Sequence, residues 1–319
     1  MKQQDFELRH ERSWQALEQD LLQKDNSDEL IQLPERYHSL CQQLALAKQR
    51  RYSAALIQRL NSLVIQSHNK LYRDLPRARA NFLYYLVAGF PQAVRRNRAY
   101  VGAACALFFA PGLLFFILCW FDDSLIYSLM SYEQVKDFEA MYEPGNQAFG
   151  RERQSDTDFA MFGFYIKNNI GISFQCFAGG ILFCIGSIFF LLYNGLFIGA
   201  AAGHIAHIGY NETFFPFVVG HGSFELIAIA LAGAAGLKLG WALLSPGQLG
   251  RISALRLASK DAITIIYGST VMLLIAAFIE AFWSSSSSLA NEVKYSVGGL
   301  LWFLVIYYLA TAGRHLAPR

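Results

Sequence analysis

The chain has 319 residues, of which 54 % are hydrophobic and 16 % charged, with a formal net charge of +3. This balance is shifted away from a uniformly soluble protein and towards a membrane protein. Its five cysteines (Cys41, Cys105, Cys119, Cys176, Cys184) show no CxxC or paired framework spacing, so they read as small buried hydrophobes rather than a disulfide scaffold.

The charge is unevenly placed. Before Tyr100 there are sixteen Lys/Arg against ten Asp/Glu, a surplus that exceeds the net charge of the whole chain. This pattern predicts a basic cytoplasmic region, residues 1–99, joined to a membrane domain, residues 100–313, with a short cytoplasmic tail at 314–319. The opening MKQQDFELRHERSW has no apolar core of the signal-peptide type, and a cleaved leader is not expected from it.

Within residues 1–99, Phe6, Trp14, Leu17, Leu21 and Leu22 recur at helical spacing. Pro34 is read as opening a second helix to about Arg50, and a third carries Leu56, Leu60, Leu63, Val64 and Leu71. Asn61, His68, Asn69 and Tyr72 form a polar set along the third helix, expected to be hydrogen-bonded within a helix interface. Arg73, Arg77, Arg79, Arg95, Arg96 and Arg98 offer a basic surface. Without interleaved aromatics it suits anionic headgroups of the lipid bilayer, not nucleic acid.

The first span is predicted from Tyr100 to Phe121, leaving the cytoplasm after RRNR and meeting Asp122 and Asp123 on the far side. Residues 122–168 hold nine acids against four Lys/Arg, which predicts a periplasmic or interfacial loop. The apolar run that follows is nearly twice the length of one span. Tyr193-Asn194-Gly195 is taken as the turn that divides it into Asn168–Tyr193, capped by Asn168 and Asn169, and a short Gly195–Ile208. Phe214–Leu244 follows, and residues 195–244 either span or re-enter. Spans at Ala262–Phe282 and Ser296–Ala312 complete the fold class: an all-α polytopic membrane protein of about six transmembrane segments, in a bacterial inner membrane with both termini cytoplasmic.

The chemistry concentrates near Gly220–Gly240. His221 and Glu225 are four apart and share a helix face. With Pro216 as the first helical residue, Glu225 lies roughly 13 Å deep. Small residues make two ridges, Gly195, Gly199, Gly203 and Ala232, Gly236, Gly240, which permit close helix approach. If the two segments pair antiparallel, His207 meets His221, and His204, His207, His221 and Glu225 form one buried polar cluster. Three roles compete for it: a structural knot, an ion or small-solute pathway, and a metal centre in which His207, His221 and Glu225 hold a transition metal as cofactor. Ser223 lacks the GxSxG context of a hydrolase, and no catalytic residue is assigned. Lys238 is expected to snorkel to the cytoplasmic surface and Glu280 to sit at the outer end of its span. The faces of Ala178, Gly179 and Gly186 are expected to serve a homo-oligomer.

GHGSFEL with its small-residue run, NGLFIGAAAGH, YIKNNI, LNSLVIQSHNKLYR and FPQAVRRNR together resemble the stage II sporulation protein M family in its non-sporulating Gram-negative branch. The family's GHGxxE pattern falls on Gly220, His221, Gly222 and Glu225, and its HNxxY pattern on His68, Asn69 and Tyr72. The resemblance implies an inner-membrane scaffold of a cell-envelope complex without established catalysis. It also implies peptidoglycan-remodelling proteins or an AAA+ ATPase as partners.

Overall fold

The computed structural model describes residues 3–22, 27–71, 82–145, 155–286 and 288–316. It divides into two compact units, Met1–Ala80 and Asn81–Arg319. The boundary of packing therefore falls earlier than the sequence boundary at residue 99. Residues 81–97 belong with the second unit because Phe90, Ala93 and Val94 lie in its core.

In the first unit, α1 (Gln3–Leu22), α2 (Ser27–Gln49) and α3 (Ala54–Leu71) enclose Phe6, Trp14, Leu40, Leu60 and Leu63. The Trp14 indole donates to Gln43 Oε1 at 2.7 Å, so the buried ring keeps a polar partner. Arg59 bridges Glu11 and Glu18, at 3.0 Å to each. Helix α2 starts at Ser27, and Pro34 lies inside it instead of opening it.

In the second unit, α4 (Phe90–Arg96) follows a π turn at Tyr85–Gly89 and leads into α5 (Arg98–Phe121). A 3₁₀ turn and α6 (Tyr132–Tyr142) come next, the latter started by a capping box between Ser131 and Gln134. Then come α7 (Ser155–Ala178), α8 (Ile185–His207), α9 (Asn211–Leu244), α10 (Arg251–Phe278), a π turn at Ile279–Ser284, and α11 (Asn291–Thr311). No strand occurs among the described residues.

Contact levels give the directions. Gly195, Gly199 and Gly203 of α8 lie on the carbonyls of Phe108, Gly112 and Phe116 of α5, so these helices run parallel. Leu191 against Gly233, Ser187 against Gly236 and Cys184 against Gly240 set α9 antiparallel to α8. Trp283 against Gly220 at one end, and Asp261 bound to Lys238 at the other, reverse α10 again. Gly298 against Val219 places the start of α11 level with the first half of α9. Helix α7 spans the same depth, from Phe159 beside Phe282 to Gly180 beside Gly236. The result is a bundle of six long helices in which five pack around α9, whose central stretch from Ala228 to Gly236 is buried. Five of the helices are long and apolar enough to cross a membrane by themselves; α7 lacks the hydropathy but runs alongside them.

The break between the second and third crossings is not at Tyr193-Asn194-Gly195. Helix α8 runs through that triplet, with Asn194 Nδ2 donating to the Phe190 carbonyl at 2.7 Å. The turn lies at 179–184, where Gly179 packs backbone to backbone on Gly186, and Phe183 and Cys184 take positive φ values of 50° and 70°. Cys184 N bonds the Gly180 carbonyl at 3.0 Å, which closes it. Its apolar sequence hides it, because the turn closes through backbone bonds and glycine packing and uses no polar side chain. Gly179 and Gly186 are thus occupied by each other and are not free for a second copy. Asn168 and Asn169 sit mid-helix in α7, Asn169 buried, and do not cap a span. Helices α8 and α9, at 23 and 34 residues, are each long enough to cross, so the third segment is not the short one that the sequence suggested.

The two small-residue ridges also face elsewhere than the sequence suggests. The Gly195–Gly203 ridge meets α5, while Gly236 and Gly240 meet the 179–184 turn and the end of α7. Ala232 is buried in the same helix.

Candidate functional site

At the end of the bundle where α4, α10 and α11 meet, Lys238 does not snorkel. Its ammonium binds Asp261 and donates to Asn97 Oδ1 at 2.7 Å, while Arg96 reaches the same Asp261 carboxylate. Arg95 adds bonds to the carbonyls of Leu309 at 2.8 Å and Ala312 at 2.6 Å. This cluster fixes four helices, α4, α9, α10 and α11, to one another.

At the opposite end the sequence-predicted cluster divides. His207 closes α8 and its Nδ1 lies 2.8 Å from the Trp120 carbonyl, joining the ends of α8 and α5. His204 Nε2 lies 2.9 Å from Glu139 Oε1 on α6, and Lys136 reaches the other oxygen at 3.1 Å. Burial alone would raise the Glu139 carboxyl, but the bonds to His204 and Lys136 outweigh it and hold it below the usual carboxylate range. Neither histidine joins Glu225. Helix α9 starts at Asn211, before Pro216 rather than at it, so Glu225 lies fourteen residues in, roughly 21 Å along the axis.

The structure brings together His221, Glu225 and Glu280, whose ligating atoms all lie within 4.8 Å of one another. His221 and Glu225 share a face of α9 through their i,i+4 spacing. Glu280 comes from the π turn that ends the fifth crossing, and it is only 8 % exposed. The wider turn carries one residue more than an α-turn and so re-aims the side chains that follow it. Ser284, at the end of the same turn, sets its Oγ 3.3 Å from His221 Nδ1 and accepts at its carbonyl from Lys294 Nζ at 2.9 Å. Gly220 has no side chain because Trp283 lies where a Cβ would be, with ring carbon Cζ3 at 2.6 Å from that position. That contact explains the first glycine of GHG.

Aromatic rings cover the cluster. Phe217 meets the His221 ring edge-on at 5.3 Å, and Tyr142 of α6 meets Phe217 at 6.0 Å and Phe214 at 4.9 Å. Burial raises the Tyr142 phenol well above its ordinary value, and Glu280, Tyr165 and Glu225 push it the same way, which places the acids within electrostatic reach of α6. Beside these rings opens a pocket of about 380 Å³, lined by Pro144, Glu212, Phe217, Ser284, Asn291 and Lys294 among others. Phe217 and Ser284 both touch His221, so the cluster lies directly behind the pocket wall.

Sequence reasoning missed Glu280, Ser284 and Tyr142. The available signal was a lone acid in the apolar AFIEAF, but its partners lie on another helix, where spacing carries no information. In the first unit, Asn61 and His68 are exposed and not buried in an interface; His68 meets Tyr37 edge-on at 6.0 Å. Tyr72 and the Asn69 side chain lie outside the described residues.

A family model described as Stage II sporulation protein M matches residues 101–285, a stretch that contains His221, Glu225 and Glu280. A second, described as a domain of unknown function (DUF8413), matches residues 4–73, within the first unit. No curated protein and no solved structure gives a match.

Proposed function

We propose, for a chain that belongs to the stage II sporulation protein M family, the role of a membrane-embedded assembly component in a cell-envelope complex. In this reading the chain sits in the bacterial cytoplasmic membrane. Residues 1–99, the 245–261 segment and the C-terminus are cytoplasmic, and residues 122–168 lie outside. The excess of Lys/Arg before Tyr100 and the acids of 122–168 support that orientation.

The observation that carries the scaffold reading is the backbone-to-backbone packing of the bundle. Helices α5 and α8 touch at three successive glycine levels, and the 179–184 turn is wedged against Gly236 and Gly240. Such interfaces lock two backbones together and leave little room for one group of helices to rock against another. A rigid frame with exposed apolar flanks, such as Leu113 and Leu114 on α5 or Leu300 and Phe303 on α11, suits the docking of other membrane subunits. Self-association, if it is the mode of assembly, uses such flanks, since Gly179 and Gly186 are consumed within the chain. Photo-crosslinkers at these four positions in native membranes are expected to yield discrete protein adducts, with a second copy or with peptidoglycan-remodelling or ATPase partners. Adducts with lipid alone would contradict the reading.

A second reading, ion or small-solute passage, is favoured by the His221–Glu225–Glu280 cluster behind its pocket. Proton or cation flux in proteoliposomes, abolished by Glu225→Gln, would select it over the scaffold.

A further inference from the structure

We propose that His221, Glu225 and Glu280 form a binding site for one divalent transition-metal ion, reached from the neighbouring pocket and clamping α9 to the end of α10. This goes beyond the assembly role and does not depend on it.

The donor set is one imidazole and two carboxylates, a combination that suits Zn²⁺ and its first-row neighbours. Zinc holds such ligands at about 2.0–2.2 Å, which puts ligand atoms roughly 3.4 Å apart in a tetrahedron. The three donor atoms lie within 4.8 Å of one another, so a contraction well within side-chain motion closes them on a shared ion. Charge argues the same way. Two carboxylates this close repel when both are ionised, and burial makes each charge costly. A dication offsets both at once.

The surroundings also fit. The Ser284 hydroxyl, 3.3 Å from His221 Nδ1, is placed to orient the imidazole, in the manner of the outer partners of metal-bound histidines. The π turn presents both Glu280 and Ser284, so a single local departure from α-helix supplies a ligand and the group that orients another. The pocket of about 380 Å³ offers a route in: His221 stands behind its Phe217 and Ser284 walls. The ligands come from two crossings, so binding holds the halves of this region together.

The test uses the full chain in lipid nanodiscs, stripped with a chelator and titrated with Zn²⁺ against a chromophoric competitor. One equivalent should bind, and Co²⁺ should give visible absorption typical of four- or five-coordinate N/O ligation. Glu225→Gln and Glu280→Gln should each weaken binding roughly 10–100-fold, while Glu139→Gln, at the separate His204 contact, should not. X-ray absorption of the Zn²⁺-loaded wild type should show oxygen ligands with a single imidazole, a readout that stands even if the variants fold poorly. Absence of stoichiometric binding, binding unchanged in the Glu225→Gln/Glu280→Gln double variant, or two or more imidazoles around the ion would each overturn the proposal.

Discussion

His204 on α8 and Glu139 on α6 meet at 2.9 Å, although sixty-five residues separate them. This contact ties the helix that follows the first crossing to the end of the third. His204 is almost wholly buried, and its Nδ1 has no hydrogen-bond partner among the described residues.

Glu139→Ala therefore strips the one bond the ring makes and should loosen α6, at a cost of about 1–3 kcal/mol. Amide exchange across Tyr132–Tyr142 should quicken in this variant. The wild type should show the same loosening on acidification. The folded carboxyl lies below its unfolded value, so its stabilisation is present above the unfolded value and is lost as pH falls through the folded one. Exchange in α6 unchanged between pH 7 and pH 3 would refute the link.

The glycine contacts make a paired prediction. A Cβ at Gly199 would overlap the Gly112 carbonyl, whereas one at Gly102 meets nothing within 4 Å. Gly199→Ala should lower stability by about 1–3 kcal/mol, because two backbones must part. Gly102→Ala should be neutral or stabilising by up to about 1 kcal/mol through helix propensity. Thermal unfolding in detergent, followed by reactivity of the buried Cys119, Cys176 and Cys184, ranks the two.

Lys238 and Asp261 should behave as a pair. Removing Lys238 alone leaves the Asp261 carboxylate with Arg96 and Asn97 only, so the Lys238→Met/Asp261→Asn double variant should be less destabilised than the sum of the two single variants. A coupling of about 0.5–3 kcal/mol is expected. A snorkelling lysine would show none.

The sequence carried the class, the family and most crossings, because long apolar runs and the Lys/Arg bias are local signals. It also identified Gly195, Gly199 and Gly203 as a ridge of close approach, though not that the ridge faces α5. The errors have two causes: partners far apart in the chain, and polar residues that bond within their own helix. Polar breaks such as Tyr193-Asn194-Gly195 look like turns, yet Asn194 finds a carbonyl four residues back within the helix. The real turn, at Gly179–Cys184, is apolar. His207 and His221 look adjacent across a short loop, but His221 lies well down α9 and faces the fifth crossing. Glu280 became visible only when the π turn aimed it inwards.

The central claim is that Glu225 and Glu280, on different helices, belong to one site with His221. A double-mutant cycle with Glu225→Gln and Glu280→Gln, read by reversible unfolding in lipid–detergent mixtures, tests it most directly. The geometry predicts coupling above about 1 kcal/mol, since each charge alters the cost of the other, while the Glu225→Gln/His207→Gln pair should add within about 0.5 kcal/mol. Additive Glu225 and Glu280 effects, or strong coupling of Glu225 to His207 instead, would contradict the account.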